Sequence, residues 1–377
     1  MSEPTHDTIA RLRHHLKSGL DTGHDVHTRE VLLSNIYGMR PQLSRQEMDE
    51  SALQSYFRQC QSIFEANNFL DLLPSISCIG NTGHLTNGSP AIYVSFHYAS
   101  YRLLLIYLAS LRIPLTALMY DGLDPDRRDG ITDNVARMFD VMGYDKSLFK
   151  IMDTSTAAML FSLSSDLKQG RSVFIYVDGN QSVGGWSSTN RNSMRIPFLG
   201  HDLHARYGAS AISWLTKVPL VPVIAHRRGA QEEENVFQFF DDIRPNGGDK
   251  QAFFEEATVR QWRNFEPFVE RDLTNWEALK YSHKFMEYNP VVAPGTAPRV
   301  SGPANAMKFN HERYGVFHAG EFDSRPCLFD RKSRTVAFPG ERLFGVISGI
   351  VERGADMAVL PTPLRQWLCE RSLIVAD

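Results

Sequence analysis

The chain has 377 residues, enough for two domains or for one domain with appendages, and 42% hydrophobic with 22% charged residues is a composition that buries a large core. A formal net charge of -3 argues against a nucleic-acid binder held by a global basic field. The four cysteines, Cys60, Cys78, Cys327 and Cys369, stand far apart without CxxC spacing, which speaks against a structural zinc site and for reduced cytosolic thiols.

The opening segment, MSEPTHDTIARLRHHLKSGLDTGHD, lacks the apolar core of a signal peptide or membrane anchor. No run approaches the roughly 18 apolar residues that a spanning helix needs. The expectation is a cytoplasmic chain that at most touches the inner membrane peripherally. Residues 1–75 read as a helical N-terminal segment. Within it, Leu53, Phe57, Cys60 and Phe64 share a helical face, with Ile63 adjoining, and Asp49 or Ser51 is placed to cap the helix.

From about residue 89 strands and helices alternate, the pattern of a mixed, largely parallel sheet flanked by helices in an α/β domain spanning 76–290. Strand 91–96 leads into helix 101–111, then strand 113–120, a helix near 131–142, a helix in TSTAAMLFSLSSDLKQG and strand 172–177. A polar loop over 179–195 precedes IPFLG, helix 206–217 and strand 219–225; VFQFF and an aromatic-rich helix, TNWEALKYSHKFMEY, follow. Dense Pro and Gly over 291–307 mark a linker. Residues 308–377 read as a small α+β module of three short strands (GVFHAGEF, RPCLFD, RTVAF) and two helices (ERLFGVISGIVERG, TPLRQWLCERS).

Four apolar strands run into polar residues: His97 after AIYVSF, Asp121 after IPLTALMY, Asp178 after SVFIYV, and His226 after PLVPVIA. In an open α/β sheet the crevice beyond the carboxyl ends of the strands is where ligands bind, so this edge is the candidate reaction centre. A histidine at a strand end is often a satisfied loop residue, and an aspartate there often caps a helix or forms a turn. His226, within HRRG, reads as a positioned loop residue. His318 and Glu321 in HAGEF lack zincin spacing, and no metal is expected.

The order His97, Asp178-Gly179-Asn180, Arg191, Ile196-Pro-Phe-Leu-Gly, helix, then KVPLVPVIAHR resembles the lipid A secondary acyltransferases of the lysophospholipid acyltransferase superfamily. The resemblance spans roughly residues 75–290. It implies that His97 is a general base on an acceptor hydroxyl or amine, which attacks an acyl thioester of coenzyme A or an acyl carrier protein as co-substrate. In that family a carboxylate five residues after the histidine orients the imidazole and stabilises its cation. Here that position is Arg102, which cannot accept the imidazole N–H. Asp178 is the first substitute and Asp121 the second. Arg191 would contact the oxyanion or a donor phosphate, and Asn180, Arg102 and Ser100 complete the candidate substrate-binding set.

The C-terminal sequence CLFDRKSRTVAFPGERLFGVISGIVERG, followed by a second helix, resembles the small winged-helix domains that recognise precursor peptides of ribosomally made natural products. Such a domain would grip an extended peptide along an exposed strand edge; a structural cap is the competing reading. Together the two resemblances imply an acyltransferase acting on a peptide or natural-product intermediate. Its rivals are a peripheral lysolipid or lipid A-type acyltransferase and a non-catalytic binding protein that kept the fold, the last favoured by Arg102.

Overall fold

The computed structural model describes residues 26–119, 131–153, 159–179, 192–229, 234–288, 307–319, 321, 323–353 and 360–376. The chain divides into two compact units, one formed by residues 1–54 with 288–377 and the other by residues 55–287. The first division falls inside a long helix, α2 (Arg45–Asn67), which follows α1 (Val26–Met39). Ser44 and Glu47 start α2 with a reciprocal capping box: Ser44 N–H donates to Glu47, and Glu47 N–H to Ser44 Oγ. The helix therefore begins several residues before the caps expected at Asp49 or Ser51.

The larger unit holds β1 (Ser77–Gly80), β2 (Ile92–Ser95), β3 (Leu115–Met119), β4 (Phe149–Asp153), β5 (Ser172–Tyr176), β8 (Leu220–Arg228) and β9 (Glu234–Phe239) in one sheet of order β1-β9-β8-β2-β5-β3-β4. Every neighbouring pair is parallel except β8 and β9. The expected mixed, largely parallel α/β sheet is thus present. Its strands read as apolar runs without alternation because both faces are covered: β2 is buried throughout, and β8 in all but its last residue.

After the single-turn α3 (Phe69–Leu72), helix α4 (Tyr101–Ser110) buries Leu103, Leu104, Leu105, Ile106 and Leu108 in the core that also takes Tyr93, Phe174 and Phe237. One such leucine contributes about 1.5–3 kcal/mol by leaving water. The buried set also contains Arg102, a cation that must find a partner. Helices α5 (Ile131–Met142), α6 (Met159–Lys168), α7 (Gly208–Thr216) and α8 (Lys250–Arg271) complete the covering layers. IPFLG forms part of a hairpin between β6 (Ser193–Phe198) and β7 (His201–Arg206). Its two-residue loop, Leu199 and Gly200, has φ of 52° and 76°, the positive pair that suits a twisted hairpin.

Three local expectations are corrected. Within α2, Phe57 is buried but Ile63 and Phe64 are exposed; the helix turns Glu65 inward instead, where Arg227 binds it through two contacts of 2.9 and 2.8 Å. TNWEALKYSHKFMEY is not an α-helix: it makes 3₁₀ turns over Leu273–Asn275 and Glu277–Lys284, then β10 (Met286–Glu287), which pairs with β7. The strand carrying His226 does not stop there but continues to Arg228, paired with β9.

In the smaller unit, β12 (Tyr314–Phe317), β13 (Cys327–Asp330) and β14 (Thr335–Ala337) form an antiparallel sheet, while β11 (Met307–Phe309) pairs with β15 (Ile374–Ala376). Helices α9 (Glu341–Arg353) and α10 (Thr362–Glu370) occupy the two stretches read as helical. Phe309, Leu328, Ile347, Ile350 and Leu368 form its core. Helix α1 joins this unit through a buried ion pair, Glu30 with Arg331 at 2.6 Å. Apart from Met307, the Pro- and Gly-dense stretch 291–307 lies outside the described residues.

Candidate active site

β2 and β5 are in register, with Ser95 opposite Tyr176. His97 and Asp178 each lie two residues farther along, so both side chains arrive at one level of the sheet's carboxyl edge. His97 Nδ1 lies 2.8 Å from Asp178 Oδ1. The His97 backbone N–H adds a shared hydrogen bond to both carboxylate oxygens, at 3.1 and 3.0 Å. Trp276 donates its indole N–H to Asp178 Oδ2 at 2.8 Å.

Asp178 is wholly buried, whereas the His97 side chain keeps 20% of its surface exposed. A buried carboxylate is tolerable because these donors replace its water. An ionised carboxylate has no proton to give, so the proton of this contact sits on His97 Nδ1, leaving Nε2 as the basic nitrogen. Tyr176 and Tyr101 hold the ring from two sides, with centroids 4.3 and 4.8 Å away. Behind it, a Cβ added at Gly179 would stand 3.8 Å from His97 Cε1.

A tight turn delivers His97 from β2 into α4. Tyr98 N–H bonds back to Phe96 O, and Ala99 takes φ of 50°, a left-handed conformation costly for a residue with a Cβ. The segment after α8 over-determines that turn. Asn275 O accepts from Ala99 N–H, and Glu277 N–H donates to His97 O. Tyr98 Oη donates to the carbonyls of Phe268 and Asp272.

Arg102 does not face the imidazole as a bare charge. Its Nη1 binds Glu277 Oε2 at 3.0 Å, and the same oxygen accepts from Tyr101 Oη at 2.6 Å. Lys280 Nζ reaches Glu277 Oε1 at 3.0 Å. Burial by itself would raise the Glu277 carboxyl, but Arg102, Lys280, His97 and the Tyr101 hydroxyl together hold it well below the usual carboxylate range.

Of the residues expected at the site, His97 and Asp178 meet directly, and Arg102, in the first turn of α4, pairs with Glu277. Ser100 is fully buried at the start of α4, and its Oγ has no hydrogen-bond partner among the described residues. Asp121, Asn180 and Arg191 lie outside the described residues. His226 is buried inside β8 against Phe268, 5.1 Å between ring centroids, and neither ring nitrogen has a partner among the described residues. Burial pushes its imidazole below the ordinary value, with Arg271 and Arg228 adding to the effect.

Sequence reasoning passed over Trp276 and Glu277. Their partners are 98 and 175 residues away, so no local spacing announces them. The available signal was a Trp-Glu pair in an aromatic-rich segment whose helical pattern is poor.

Among the described residues no group of three His, Cys, Asp or Glu side chains is placed to hold a metal ion, and no helix is long and apolar enough to cross a membrane. No protein-family model and no curated protein matches the chain. Among solved structures, it is similar to the crystal structure of the 1-acyl-sn-glycerophosphate (LPA) acyltransferase PlsC from Thermotoga maritima, with 13% identity and a TM-score of 0.30 over 62% of this chain and 94% of that one.

Proposed function

We propose that the chain is an acyltransferase that moves a fatty acyl group from an acyl-CoA or acyl-carrier-protein thioester to an amine or hydroxyl acceptor. The observation that carries this reading is the 2.8 Å contact between the half-buried His97 Nδ1 and the wholly buried Asp178.

With Nδ1–H committed to Asp178, His97 Nε2 takes the proton of the acceptor O–H or N–H as that atom attacks the thioester carbonyl carbon. The tetrahedral intermediate collapses with cleavage of the C–S bond, and Nε2–H returns the proton to the departing thiolate. Asp178 stays ionised and stabilises the imidazolium between the two proton transfers. In this reading Arg191 contacts the oxyanion or the donor phosphate, and Asn180, Arg102 and Ser100 are substrate contacts.

A peptide acceptor is supported by the smaller unit. β14 pairs with β13 on one side, and Thr335, Val336 and Ala337 are all exposed. Phe338, which follows directly, is also exposed. An extended peptide could add there as a further strand, with Val336 and Phe338 as apolar contacts.

The test is product formation. Purified protein is incubated with acyl-CoA and acyl-carrier-protein thioesters and with amine, hydroxyl and peptide acceptors, and products are read by intact mass. Acylated product that disappears in His97→Gln is expected. Product that persists in that variant removes His97 as the base, and no product from any pairing favours a non-catalytic binding protein.

A further inference from the structure

The position five residues after His97 holds a cation, yet the imidazole must become a cation during the proposed reaction. A buried guanidinium beside it would oppose that step unless its charge were cancelled nearby. The charged groups around His97 among the described residues can be enumerated. Asp178 follows β5; Arg102 comes from α4; Glu277 and Lys280 come from the segment after α8. Tyr176 and Tyr101 flank the His97 ring, and Tyr281 donates its hydroxyl to Asp178 O. Two carboxylates thus face two cations before the imidazole takes its proton.

We infer that Glu277 is a positioning residue that neutralises Arg102, so that the charge of the His97 imidazolium is met by Asp178 instead of being opposed. This rests on the acyl-transfer reading of the same site. Asp178 takes both tasks that the resembled family gives to its carboxylate, and Glu277 answers the cation that stands in that carboxylate's place. Asp178 orients the ring through Nδ1 and meets its charge, while Glu277 cancels Arg102.

Three observations place Glu277 in this role. Its Oε2 accepts from both Arg102 Nη1 and Tyr101 Oη. Its backbone N–H donates to His97 O at 2.8 Å, which locks the carboxylate to the turn that carries the imidazole. Tyr101 closes the circuit, since its ring lies 4.8 Å from the His97 ring and 4.4 Å from the Arg102 guanidinium carbon. In a medium of low effective dielectric, removing one member of such a set leaves its counter-charge acting on its neighbours.

The test is an NMR titration of the His97 imidazole without substrate, so its outcome is independent of whether acyl transfer is found. Relative to the unaltered chain, Glu277→Gln is expected to lower the midpoint by about one pH unit, because an uncompensated Arg102 opposes protonation. Glu277→Asp, which keeps the charge, should stay near the unaltered midpoint, and the double variant Arg102→Met/Glu277→Gln should return to it. A second measurement needs none of these variants. The Glu277 side-chain carboxylate ¹³C resonance of the unaltered chain should move as His97 titrates, and stop moving in His97→Gln. A midpoint unchanged in Glu277→Gln, or a Glu277 resonance indifferent to His97, overturns the inference.

Discussion

His97 and His226 belong to neighbouring strands of one sheet and meet opposite environments. His97 sits beyond the end of β2, half-buried, its Nδ1 on a wholly buried carboxylate and its ring held by two tyrosines. His226 sits inside β8, buried against Phe268, with no partner for either nitrogen among the described residues. An imidazole becomes chemically useful when one nitrogen is fixed by an anion and the other is left for a substrate. The first site meets those conditions through the β2–β5 register; the second supplies burial alone.

The largest effect should fall on the first site. Asp178→Asn removes the anion and permits the wrong tautomer, so thioester turnover should drop by roughly 10³-fold or more, whereas His226→Gln should stay within about threefold of the unaltered chain. Equal losses in both variants would erase the distinction.

A buried ion pair away from the imidazole should matter for folding instead. Arg227 is bound twice by Glu65 and once by Asn275. Glu65→Gln leaves that guanidinium partly uncompensated, at a cost of about 3–5 kcal/mol in denaturant unfolding. A loss below about 1 kcal/mol would show that Asn275 and water suffice.

Trp276→Phe keeps the aromatic packing and deletes one donor to Asp178. Turnover should fall about tenfold, with the larger share in kcat, since the lost hydrogen bond is worth on the order of 1–3 kcal/mol to a charged acceptor.

The smallest effect concerns pH and His226. Its folded-state imidazole titrates below the ordinary 6.5 because burial disfavours the charged form. The unfolded chain therefore binds the proton first as pH falls. The stability associated with neutral His226 is complete above 6.5 and is lost as pH drops from there through the folded-state value. Unfolding free energies measured across that window should fall less steeply in His226→Gln. An unchanged slope would show that other groups dominate it.

Much of the sheet was legible because strands covered on both faces are largely apolar, as are β2, β3, β5 and β8 up to Ala225. His97 and Asp178 were legible as polar residues ending such runs. Their pairing was open between Asp178 and Asp121, since strand order decides which ends become neighbours and no local pattern encodes it. The role of Arg102 was unreadable for the same reason: Glu277 lies 175 residues away, in 3₁₀ turns that helical periodicity misdescribes. His226 was misplaced because HRRG carries turn-like composition, while pairing with β9 extends the strand through it.

His97, held by Asp178, is the proposed base of acyl transfer. The most direct test follows thiol release from a panel of acyl-CoA and acyl-carrier-protein thioesters, supplied with amine and hydroxyl acceptors, in the unaltered chain and in the His97→Gln and Asp178→Asn variants. Release by the unaltered chain that both substitutions suppress together is expected. Release that survives both substitutions, or a complete absence of release with every donor and acceptor, would contradict it.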